Sequence, residues 1–103
     1  MGLLESDLVV EVTDPVVQIG EEFLRRRGAK QIMGFRAIDM PGAGRIYFVR
    51  GSNGLTSIRC AIIVNEDGKR KGPFAIGRAE QRKLGDQALR YVRRLRKSKG
   101  GRK

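Results

Sequence analysis

The spacing of apolar residues changes twice along the chain, and each change marks an element. Val16, Ile19 and Phe23, with Val17 and Leu24 beside them, recur at helical spacing and form one apolar stripe. Asp14 is placed to cap this helix, and Pro15 suits its first position, where a missing N–H has no partner to lose. Arg25, Arg26 and Arg27 fill the last turn, where cations favour the helix dipole, and Gly28 ends it. Ahead of the helix, "DLVVEV" (Asp7–Val12) reads as a short strand or an extended arm.

The period then falls to two. Gln31–Ile38 alternates, with Ile32, Gly34, Arg36 and Ile38 on one side and Met33, Phe35 and Ala37 on the other. "MPGAGR" breaks the strand with a Pro-Gly turn, "RIYFVR" (Arg45–Arg50) is dense in β-branched and aromatic residues, and "GSNG" signals a hairpin. The third strand, Thr56–Val64, turns Ile58, Cys60, Ile62 and Val64 to the core and Arg59 to the opposite face, then ends in the Asp-Gly turn of "NEDGK". "KRKGP" (Lys69–Pro73) reads as a basic loop and "FAI" (Phe74–Ile76) as a short added strand. Helical spacing returns from Arg78 to Lys97, where Leu84, Ala88, Tyr91, Val92 and Leu95 share a face.

The pattern predicts a single α/β (α+β) domain over 1–97. It comprises an N-terminal helix, a three-to-four-stranded mostly antiparallel sheet and a long basic helix, followed by a flexible basic tail over 98–103. A chain of 103 residues can bury one modest core. No apolar run approaches the roughly 18 residues that cross a bilayer, and no charged-then-apolar leader opens the sequence, so no membrane role and a cytoplasmic location are expected. The opening "MGLLES" fits the loose myristoylation pattern, with no basic residues near it in support. The single cysteine, Cys60, excludes an internal disulfide, and the absence of histidine removes the usual zinc partners.

Charge adds what periodicity cannot. The net charge is +11, and its distribution is uneven: residues 1–22 hold six acids and no base, while residues 69–103 hold fourteen bases and two acids. Such self-repulsion is relieved by a polyanion through neutralisation and counterion release. Nucleic acid is therefore the first candidate partner, with DNA ahead of RNA. The phosphate-binding residues predicted are Lys69, Arg70, Lys71, Arg78, Arg82, Lys83, Arg90, Arg93, Arg94 and Lys97, with Arg36, Arg45 and Arg59 contributing from the sheet. Arg90, Arg93, Arg94 and Lys97 fall on one helical stripe. Arg and Lys in such excess favour backbone contact over base reading. Tyr47, between Arg45 and Arg50, is a candidate for stacking a base. The acidic first 22 residues could meet the basic face of a second copy, so a homodimer is compatible. Arginine outnumbers lysine fifteen to seven, which is compatible with a thermophilic source.

Without histidine, catalysis would fall to carboxylates and lysine. Asp39, with Glu66, Asp67 and Lys69 of "EDGK", has the order of an acid followed by Asp-x-Lys in a Mg²⁺ nuclease, although Gly68 and the turn make a poor rigid platform. "GAGR" (Gly42–Arg45) lacks the lysine and the strand–helix context of a phosphate loop and reads as a turn.

The succession "FLRRRGAK", "GRIYFVR…NGLTSIRCAII" and "GPFAIGRAEQRKLGDQALRYV" resembles the archaeal Holliday junction resolvases and the wider PD-(D/E)xK nuclease group over about residues 15–95. The resemblance implies a helix, a strand meander and a Gln-containing helix, with Gln81 near the site. At the positions where that group holds metal, this chain has Val16 and Val17, Arg45, and Arg59 with Ala61. On the resemblance, two carboxylates have become guanidiniums and a metal cradle has become a phosphate clamp. The expectation is non-catalytic, largely sequence-independent nucleic-acid binding with no metal or cofactor. A Mg²⁺ nuclease or junction resolvase, and a ribosome-associated RNA-binding protein, stay open as alternatives.

Overall fold

The Asp14 carboxylate accepts a hydrogen bond from Val16 N at 2.8 Å, satisfying one of the amides that a helix start leaves unpaired. The helix it caps, α1, runs Pro15–Arg26, and Gly28, at φ 107°, turns the chain back. The computed structural model describes residues 7–8 and 13–101, with side chains from 13 to 96. A two-residue β1 (Asp7–Leu8) precedes α1, and β2 (Gln31–Met40), β3 (Gly44–Ser52), β4 (Ser57–Val64) and β5 (Arg70–Ile76) follow before α2 (Arg78–Gly101). The strands lie in chain order, each antiparallel to the next, so an open meander forms the α+β fold. Of "DLVVEV", only Asp7 and Leu8 are described, paired to Ile38 and Ala37; "MGLLES" lies outside the described residues.

Alternation along β3 sends successive side chains to opposite faces, and each face receives one helix. Val17 and Leu24 of α1 pack against Tyr47 and Val49 of β3 and Cys60 and Ile62 of β4. Ala88 of α2, with Leu84 and Leu89, packs against Ile46 and Phe48 of β3, Ile38 of β2 and Ala61 of β4. Gly20 lets α1 approach the sheet closely, since a Cβ there would stand 2.7 Å from Val49 Cγ2. No helix among the described residues is long and apolar enough to cross a membrane.

Three expectations change. Ile32 packs on the α1 side with Leu24 and Val49, not on the side of Ile38, because the β2–β3 register shifts between Ile32 and Gly34. Met33 is the extra residue of that bulge and stands 47% exposed. "KRKGP" is no loop: most of it is β5, whose Gly72 and Pro73 form a second bulge opposite Ile62. Proline is accepted there because β5 is the sheet's edge and owes no N–H to a further strand. Finally, α2 continues to Gly101, beyond Lys97, because no proline or cap interrupts its backbone bonding.

Cys60 is fully buried beside Gly20, and burial pushes its thiol up to about 11. Alkylation at pH 8 should therefore be far slower in the native protein than in denaturant, as followed by mass spectrometry. Above the ordinary value of 9.0 the unfolded thiol ionises while the buried one stays neutral, so stability should fall as pH rises from 9 towards 11. A Cys60→Ala variant should lose that slope.

Candidate nucleic-acid interface

The hairpin between β3 and β4 is closed by Asn53, whose Oδ1 accepts from Leu55 N at 2.8 Å and Thr56 N at 2.9 Å. That turn pairs Ser52 with Ser57 and, without a bulge, carries the register back to set Arg50 directly opposite Arg59. Both side chains emerge on the α2 face, as does Arg36 of β2, which lies opposite Phe48. Above them α2 contributes Arg78 and Arg82, one turn apart, with Gln81 beside them. The five arginines line one open cleft of about 290 Å³ between the helix and the sheet, and Asp86 is its one carboxylate among the described residues.

Like charges placed opposite each other across strands destabilise a sheet. Here the Arg59 guanidinium is held below its usual range, first by burial, then by Arg50 and Arg78. Among the described residues, Arg50, Arg59, Arg78 and Arg82 make no ion pair with a carboxylate. The Gln81 Oε1 atom is buried without a hydrogen-bond partner among the described residues. A concave surface with forked donors, excess positive charge and an unsatisfied acceptor can hold an oxyanion that carries a neighbouring donor.

Arg45 stands apart from this cleft. It projects to the α1 face, where its Nη1 donates to Tyr47 Oη at 3.1 Å and its Nε lies 3.7 Å from Asp39 Oδ1. The Tyr47 hydroxyl in turn donates to Asp14 Oδ2 at 3.5 Å. Arg45 is held above its usual range, chiefly by the Tyr47 hydrogen bond. Arg45 and Arg59 therefore do not form one phosphate clamp, since the sheet lies between them. Tyr47, only 4% exposed, is core and offers no ring for stacking a base.

The remaining predicted cations line the helix or lie at the far end of β5, where Arg70 pairs with Val64 while Arg59 pairs with Ile76. Lys69, Arg70 and Lys71 are exposed on the β4–β5 turn and the start of β5. Lys83, Arg90, Arg93 and Arg94 are exposed along α2; Lys97 is in that helix, with its side chain outside the described residues. Arg50 was not among the predicted residues, although the signal was present: the "GSNG" hairpin and strict alternation place it beside Arg59.

Asp39, Arg45 and Glu66 line a different cleft, of about 240 Å³, on the other side of the sheet's β2–β3 end. Asp67 and Lys69 belong to a turn whose backbone is held by Asn65, with Oδ1 accepting from Asp67 N at 3.0 Å and Lys69 N at 2.8 Å. Gly68, at φ 84°, completes it. Among the described residues no group of three or more Cys, Asp or Glu side chains is gathered to hold a metal ion. Of "GAGR", Gly42 and Ala43 form the turn, while Gly44 and Arg45 already belong to β3; Tyr91 Oη donates to Pro41 O at 2.8 Å at the start of that turn.

The fold and the cleft together define a small α+β domain with an arginine-lined groove beneath a basic helix. No family model matches the chain, and no curated protein and no solved structure matches it.

Proposed function

We propose that this chain binds nucleic acid through its phosphates, without catalysis and largely without regard to sequence, DNA before RNA. The observation that carries the reading is the convergence of Arg36, Arg50, Arg59, Arg78 and Arg82, drawn from four elements, on one cleft. The exposed Arg90, Arg93 and Arg94 extend the same charge along α2, so a strand following the helix meets cations over several turns. Guanidinium forks match phosphate oxygens in pairs, and their neutralisation releases the counterions condensed on the strand.

The test is fluorescence anisotropy on single-stranded, duplex and four-way DNA and on structured RNA, between about 50 and 200 mM salt. Affinity should fall steeply with salt and be indifferent to Mg²⁺. The Arg93→Gln/Arg94→Gln variant should reduce the salt slope by about one per arginine while leaving the sequence preference unchanged. No affinity for any of these at about 50 mM salt would overturn the reading. Metal-dependent cutting abolished by Asp67→Ala would replace it with a nuclease.

A further inference from the structure

The geometry points to the cleft between α2 and the sheet as a seat for a phosphomonoester with its attached sugar, and so for a phosphate-bearing strand end. Only the source of that phosphate rests on the nucleic-acid reading above; the chemistry of the seat rests on the cleft.

Charge argues first. A phosphodiester within a strand carries one negative charge, whereas a terminal phosphate carries about 1.5 to 2 at pH 7 and offers three acceptor oxygens. Arg50 of β3, Arg59 of β4, and Arg78 and Arg82 of α2 face one concavity with a single carboxylate, Asp86, among them. Four guanidiniums exceed what one passing diester neutralises. They fit a dianion, which can accept from several forks at once.

Shape and hydrogen bonding point the same way. Gly34 lines a hollow that adjoins the cleft and shares Arg36, Arg50, Arg59 and Gln81 with it; it lies opposite Arg50, and a Cβ built there would meet nothing within 4 Å. The sheet surface beside Arg50 therefore leaves room for a group larger than the phosphate itself. Arginine supplies donors only, so the buried Gln81 Oε1 calls for a donor on the ligand. A sugar hydroxyl or a base amino group next to the phosphate supplies one while leaving the phosphate oxygens to the guanidiniums. The cross-strand pair Arg50–Arg59 is costly in the empty protein and becomes favourable once a dianion lies between the two heads.

The experiment compares one oligonucleotide sequence carrying a 5′-phosphate, a 3′-phosphate or hydroxyls at both ends, bound by the full chain at fixed salt. A phosphate-ended strand should bind about tenfold or more tightly than the hydroxyl-ended one, the effect of an added charge-assisted contact. Arg59→Gln should remove that preference and, because Arg59 also meets backbone phosphates in the reading above, weaken the hydroxyl-ended strand as well. Gly34→Leu adds bulk beside Arg50 without removing any charge and should also remove the preference, with the fold checked by circular dichroism. A nucleoside monophosphate should compete with the strand end better than inorganic phosphate at equal concentration. Equal binding of all three strands, or a preference that survives Gly34→Leu in a folded protein, overturns the seat while phosphate-backbone binding stands. If no strand binds but the nucleoside monophosphate does in calorimetry, the seat stands with a free nucleotide as its source and the strand reading falls. If neither binds, both fall.

Discussion

Gly44→Val is expected to cost at least about 3 kcal/mol and to leave the protein largely unfolded at moderate urea. Gly44 opens β3 at φ 114°, a conformation in which side-chain-bearing residues are strained. A Cβ there would press into the Val64 carbonyl oxygen and stand 2.7 Å from Asn65 Cα. Both obstacles are backbone, so neither gives way as a side-chain tip would. Gly42→Val is the control: φ is 84°, but the nearest atom to its Cβ is Tyr91 Oη at 3.5 Å, and about 1–2 kcal/mol of backbone strain is the whole expected loss. Urea midpoints of the two variants measure the difference, and equal midpoints would contradict the close approach of β3 to the end of β4. The same approach begins the ladder that carries Arg50 to its place opposite Arg59.

The largest expected effects on function come from removing single guanidiniums, and the two faces of the sheet should respond in opposite ways. Arg59→Met relieves a cross-strand like-charge pair and burial of a cation, so stability should rise by about 0.2–1 kcal/mol. Nucleic-acid affinity should fall at the same time, about tenfold for a contact to a charged group. Arg45→Met breaks the hydrogen bond to Tyr47 and the approach to Asp39, so stability should fall, by roughly 0.5 kcal/mol for so exposed a pair, with affinity unchanged. Thermal melts and anisotropy on the same two proteins decide the matter. A loss of affinity in Arg45→Met equal to that in Arg59→Met would mean that charge alone matters and the cleft does not.

Much of this could be read from local pattern, and the failures have identifiable causes. The cap at Asp14 and the stop at Gly28 are chemistry within a few residues, and both are present as read. The apolar face of α2 is also as read: Ala88 and Val92 are buried, with Leu84, Tyr91 and Leu95 half-buried. Strict alternation puts Ile32 on the side of Ile38, but one inserted residue, Met33, reverses it, and nothing in the local sequence marks a bulge that only the pairing to β3 creates. β5 was underestimated because Pro and Gly argue for a loop unless the strand is known to be an edge.

The candidate site divides along the same line. Counting shows that the last third is strongly cationic, and spacing puts most of its charges on one helix and turns Arg59 away from Ile58, Cys60 and Ile62. These follow from counting and from the periods 3.6 and 2, which are properties of a chain segment alone. Docking sends α1 and α2 to opposite faces of the sheet, which separates Arg45 from Arg59 and gathers Arg50, Arg59, Arg78 and Arg82 around one open cleft with Gln81. Such neighbours are many residues apart in the chain. Register and helix docking bring them together, and both are set by burial of the whole core rather than by any local preference.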